Sequence, residues 1–199
     1  MNARVLTCTK EYCASWLEEI TRSKEWEVVL MPVPYTPLAL ANEFIVYSSP
    51  SGVEHMKLQK LVYISYGWWL SVFDHPVLSE APEVWKHGPV FPSLYHVLKE
   101  HGNMPIRNVQ QAIFNRPPDR VDDNDDEVLS LVRWVWGKYR HMSSFQLSDL
   151  THETGSPWQI TAESHGYSVP RHTPIPDYTI KAHYQSLLKE QLHEKTMAN

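Results

Sequence analysis

Residues 55–72 read His55-Met56-Lys57-Leu58-Gln59-Lys60-Leu61-Val62-Tyr63-Ile64-Ser65-Tyr66-Gly67-Trp68-Trp69-Leu70-Ser71-Val72, and this stretch decides the fold. Leu58, Leu61, Val62, Ser65, Trp68, Trp69 and Val72 recur at the i, i+3, i+4, i+7 spacing of one helix face, over about four turns. Such a stripe must be covered by other elements, so the surrounding chain should supply packing helices. Lys57 and Lys60 fall away from the stripe, and Lys57, Gln59, Lys60 and Tyr63 are expected outside it or at its edge. Pro76 lies beyond the end of the helix.

Working outward, Thr36 before Pro37 reads as an N-cap followed by proline at the first helical position. The helix it opens should run to about Tyr47, with Leu38, Ala41, Phe44 and Ile45 on one face. Ser48 to Gly52 is a turn. Further upstream, residues 10–23 fit a short helix, and Val28 to Met31 an apolar strand stopped by Pro32 and Pro34. Downstream, residues 83–91 lack a helical period and are closed by glycine and proline, which favours an extended segment or tight turn. Pro92 and Ser93 begin another helix through Leu98, stopped by Gly102.

Residues 103–123 hold Pro105, Pro117 and Pro118 and read as a loop with a short strand or hairpin around Ile106 and Ile113. Asn124 should cap a helix whose acidic first turn suits the helix dipole, with Val128, Leu131, Val132, Val135 and Tyr139 as its stripe. Ser143 to Gln146 has the form of a capping box, and Ser156-Pro157 repeats the cap-then-proline signature. Arg171 to Pro176 is a proline-punctuated linker before a final helix capped by Asp177. The expectation is a mainly α fold, a compact bundle of about seven helices with short extended segments or a small hairpin. Residues 1–36 form an N-terminal extension, 37–195 the domain and 196–199 a tail.

Composition narrows the chemistry. The chain has 199 residues, 42% of them apolar, and a net charge of −5 spread over both halves. No basic half or tail is present, which argues against phosphate neutralisation and nucleic acid as a partner. Eight tryptophans and ten tyrosines against seven glycines suit cores and protein interfaces alike. No stretch approaches the ~18 apolar residues of a membrane span, and the first residues lack a secretory h-region. Two cysteines, Cys8 and Cys13, exclude a disulfide framework and suit a reducing compartment. The expectation is a soluble cytoplasmic protein.

Eleven histidines raise the question of a metal. Neither His152-Glu153 nor His193-Glu194 continues into H-E-x-x-H, and the cysteines have no second ligand pair at a zinc-ribbon distance. Phosphate-loop, dinucleotide and nucleophile-elbow motifs do not occur, so no cofactor is expected. Cys13 and His152 form the one sensible nucleophile–base pair, but Cys13 falls in an amphipathic segment where a small thiol packs inertly. The acidic run from Asp122 to Glu127 lacks the alternating oxygens and glycine of a calcium loop.

Three stretches carry a resemblance. Met56-Lys57-Leu58-Gln59-Lys60-Leu61-Val62-Tyr63 followed by Gly67-Trp68-Trp69-Leu70 is the first. The second is Glu83 with Trp85-Lys86-His87-Gly88-Pro89-Val90-Phe91-Pro92-Ser93-Leu94-Tyr95. The third is Leu147-Ser148-Asp149-Leu150-Thr151-His152-Glu153-Thr154-Gly155-Ser156-Pro157-Trp158. Their order and spacing resemble the Panacea-domain antitoxins, the SocA-like and GepA-like proteins often carried by prophages, over roughly residues 37–195.

The resemblance implies an antitoxin that neutralises a cognate protein toxin encoded by an adjacent gene, through direct contact. In one branch it also implies an adaptor that delivers the toxin to a ClpXP-type protease. It leaves residues 1–36 unexplained. The residues it marks for partner binding are Lys57, Gln59, Lys60, Tyr63, Trp85, Lys86, His87, Gly88, Pro89, Thr151, His152 and Trp158, with no catalytic residue. Trp85 and Trp158 read either as rings anchoring loops to the core or as an interface platform. Thr151 and His152 either end a short helix or present a polar group beside the Gly88-Pro89 turn. The second reading is a transcriptional regulator of its own operon, for which residues 138–151 offer only Lys138, Arg140 and a few polar groups. A small hydrolase using Cys13 and His152 is the third.

Overall fold

The computed structural model describes residues 34–113 and 116–198, with side chains described as far as 193. The expected helix at 10–23, the strand at 28–31 and Cys13 lie outside the described residues. Helix α1 spans Pro37–Tyr47 and α2 His55–Phe73. Strands β1 (Glu83–Trp85) and β2 (Gly88–Val90) follow, then α3 (Pro92–Leu98) with a 3-10 turn at Lys99–His101. Four helices complete the chain: α4 (Asp126–Tyr139), α5 (Ser144–His152), α6 (Pro157–Ser164) and α7 (Asp177–Ala198). The fold is mainly α, with seven α-helices among the described residues. None of these helices is long and apolar enough to cross a membrane.

Helix α2 is the axis of the packing. Helices α1, α3, α4, α5 and α7 and strand β2 all lie against it, so every residue from Leu58 to Ser71 is buried. This corrects the one-faced reading of the helix: Gln59, Lys60 and Tyr63 lie inside, not at an edge. Spacing reveals which face is most apolar, and here neighbours cover the other faces too. At Gly67 the Tyr184 ring of α7 comes so close that a Cβ would lie 2.1 Å from it. The vacated space seats Tyr184 edge-on against Trp68, at 5.3 Å between centroids, and Trp68 meets Trp134 at 5.0 Å. Asp74 ends the helix at φ +62.

The caps fall where local chemistry puts them. Thr36 accepts from the Ala39 N–H, Ser156 from Gln159, and Ser143 and Gln146 close their capping box reciprocally. On α4 the cap is Asp125, not Asn124. The Asp122 carboxylate takes the Asn124 N–H at 2.9 Å and holds it in a turn, so Asp125 accepts from Val128 one residue later.

Helix α1 is also buried on all sides from Pro37 to Ile45 rather than along one face. Its polar residues take the Pro-rich 103–123 loop as partner. Asn42 Nδ2 donates to the carbonyls of Gln110 (2.9 Å) and Asp119 (2.8 Å), and its Oδ1 accepts from the Gln110 N–H (2.7 Å). Glu43 receives Arg120 Nε at 2.5 Å and Nη2 at 2.8 Å. Within that loop Ile106 bridges Val53 rather than Ile113, which is exposed.

Candidate partner-docking surface

The segment without helical period is a hairpin, with Glu83 opposite Val90, Val84 opposite Pro89 and Trp85 opposite Gly88. Gly88 sits at φ +99, a left-handed conformation open to glycine, and its α-carbon faces the core. A Cβ there would lie 2.7 Å from both Lys60 Nζ and Thr151 Oγ1. The outer edge of β1 is covered by the 171–176 linker, since Val84 N–H donates to Thr173 O and Ile175 N–H to Pro82 O.

Four main-chain carbonyls of this segment are gripped from below, each by a side chain on a helix. Trp158 Nε1 donates to Trp85 O (2.8 Å) from α6, and Ser148 Oγ to His87 O (3.2 Å) from α5. From α2, Lys60 Nζ donates to Pro89 O (3.0 Å) and Gln59 Nε2 to Phe91 O (3.3 Å). Gln59 Oε1 also accepts the Phe91 N–H at 3.0 Å. The three stretches that carry the family resemblance are therefore one constellation: the second is the hairpin, and the first and third supply its anchors.

The polar groups of Trp85, Thr151 and His152 are engaged within the protein. Thr151 Oγ1 donates to Ser148 O at 2.8 Å, and His152 Nδ1 donates to the same carbonyl at 2.6 Å. The His152 ring lies 4.0 Å from that of Trp158. Trp85 Nε1 donates to Glu83 Oε2 (2.9 Å), and its ring meets Tyr95 at 4.8 Å. Glu83 Oε1 accepts from His172 Nδ1 at 3.1 Å. Lys86 and His87, at the tip, are exposed, while Trp85, His152 and Trp158 are half-buried.

Burial sets the electrostatics. Lys60 is 1% exposed, and desolvation pulls its amine down to about 7. His55, nearby on α2, is pulled down to about 4 by burial, with the positive charges of His101 and Lys60 adding to it. The Tyr63 hydroxyl is pushed up by complete burial. Among the described residues no three His, Cys, Asp or Glu side chains are grouped to hold a metal ion.

The structure thus brings ten of the twelve marked residues to or beneath the hairpin, while Tyr63 lies in the core with its ring against Tyr184 of α7. Lys57 belongs elsewhere. Its Nζ donates to Arg140 O at 2.6 Å, and it lines a groove of about 490 Å³ with Tyr47, Trp136, Arg140 and Ser143. Sequence reasoning missed Ser148 as an anchor, although it stands inside the third stretch. It also missed His172 on Glu83, for which a separation of 89 positions leaves no local signal.

Comparison with known proteins places these residues in a family. The family described as "Antitoxin SocA-like, Panacea domain" matches residues 58–159, which include every marked residue except Lys57. Antitoxin SocA of Caulobacter vibrioides (strain NA1000 / CB15N) is 28% identical over 141 residues, covering 67% of this chain and 72% of that protein. No solved structure matches. With the matched stretch spanning more than half of the chain and containing the hairpin and all its anchors, the protein belongs to the SocA-like antitoxins that carry a Panacea domain.

Proposed function

We propose that the chain neutralises a cognate protein toxin by direct binding, with the β1–β2 hairpin and the adjoining α5–α6 turn as the contact surface. The observation that carries this reading is the hairpin's construction. Its backbone is hydrogen-bonded by side chains of three helices while Lys86 and His87 project from the tip and Trp85, His152 and Trp158 line its flank. Partly exposed tryptophans match the composition of binding hot spots. A stable complex needs about 1,200–2,000 Å² of total buried surface, so neighbouring helices contribute as well.

The chain acts in this reading as a binding protein and not as an enzyme. The hydroxyl of Thr151 and the ring of His152 are spent on their own helix. The unit that binds is residues 37–195, because α1 and α7, outside the matched stretch, pack directly on α2.

Co-expression with the product of the adjacent gene, followed by co-purification and a growth assay, tests the reading. The expected result is a toxic neighbour that is silenced and co-purifies. Making the tip acidic with Lys86→Glu and His87→Glu together should weaken binding at least about tenfold without lowering the melting temperature. Undiminished binding by that variant would move the contact surface away from the hairpin.

A further inference from the structure

Gly88 and Pro89 at the start of β2 lie directly on the Lys60 amine, which is sealed between α2, the hairpin and Thr151 of α5. A charged amine carries three N–H donors, and Pro89 O is the one hydrogen-bond acceptor that the described residues give it. None of the ion pairs among the described residues involves Lys60. Taking an ammonium group out of water without a counter-charge is costly, and the neutral amine avoids that cost while keeping a donor for the carbonyl. We propose that Lys60 is the positioning residue of the docking hairpin, and that the hairpin closes over it with the release of one proton.

The direction follows from linkage. With the hairpin lifted, Lys60 meets water and binds its proton up to its ordinary range near 10.5; with the hairpin seated, it loses the proton near 7. The lifted state therefore binds more protons between those limits, and rising pH favours the seated hairpin. His55 on α2 is coupled to this amine by charge, and the remaining titratable side chains of the enclosing elements are Lys57, Tyr63 and Tyr66 on α2, Glu83, Lys86 and His87 on the hairpin, and Asp149 and His152 on α5. His55 stays neutral across this range because of its burial.

This inference rests on the docking reading for its biological meaning, but its test needs only the full-length chain. Lysine Cε resonances are followed by NMR from pH 5.5 to 10.5, with Lys60 assigned by its loss in Lys60→Met. In parallel, amide exchange over residues 83–91 is measured at pH 6.5 to 8.5 and corrected for intrinsic rates. The expected result is a Lys60 midpoint near neutrality and hairpin protection that rises up to about tenfold per pH unit above 7. Lys60→Met keeps His55, His87 and His152, so their contribution remains while the rise disappears. A Lys60 midpoint near 10, an equal rise in Lys60→Met, or an equal rise at α4 amides would each overturn the proposal. Failure of the docking reading would show instead as a neighbouring gene product that does not co-purify, with titration and exchange unaffected.

Discussion

Two irregular segments are fastened to buried helices by polar side chains, and they are fastened on opposite principles. The 103–123 loop lies on α1, where the Glu43 carboxylate meets the Arg120 guanidinium in a two-point pair. Each charge answers the other, and the Glu43 hydrogen bond holds the guanidinium above its ordinary range. The hairpin lies on α2, where Lys60 meets a carbonyl dipole and no carboxylate. The matched pair brings its own counter-charge to the loop it fastens. A lone amine leaves its hairpin responsive to the proton supply. The two anchors have similar depth, so the difference is one of counter-charge and not of burial.

The largest expected effect comes from Gly88→Val. The side chain would need a left-handed backbone and would collide with Lys60 and Thr151, costing about 3 kcal/mol or more. Urea denaturation measures it, and a loss below about 1 kcal/mol would mean that Gly88 does not press on the amine. Next is Glu43→Ala. Arg120 is 40% exposed and can turn to water, so the loss is about 2 kcal/mol rather than the full cost of breaking a buried pair. Amide exchange should then rise across 103–123 and stay unchanged across 83–91; loosening of both segments together would erase the contrast between them.

The smallest is Trp158→Phe. It removes the donor to Trp85 O but keeps a ring beside His152, for about 1 kcal/mol. Its signature is faster exchange confined to β1. A stability change within error would assign the hairpin's anchorage to the other three donors.

What the sequence disclosed follows the range of each interaction. Thr36, Ser143 and Ser156 were legible as caps because a cap is satisfied within three residues. The long helix at 55–73 was legible from its apolar stripe, but the stripe misplaced Gln59, Lys60 and Tyr63. Periodicity reports one face, and it cannot show that a hairpin and α5 will roof the others. The short strand or hairpin expected around Ile106 and Ile113 reduces to a bridge from Ile106 to Val53, because bridge partners are chosen by tertiary packing. The one-residue slip from Asn124 to Asp125 came from competition by the Asp122 side chain for the same turn. Of the candidate site, the stretches were legible through family resemblance, but their convergence was not. Ser148 and Gln59 act on carbonyls 61 and 32 residues away, a pairing that no local pattern encodes.

The grip on main-chain oxygens at Trp85, His87, Pro89 and Phe91 has an evolutionary corollary. Every amino acid brings the same oxygen, and none of the four clasps uses the side chain of Lys86 or His87. Those two positions can be rewritten while the scaffold beneath them keeps its shape. Under the proposed docking, a library randomised only there would sample new specificities on an unaltered frame.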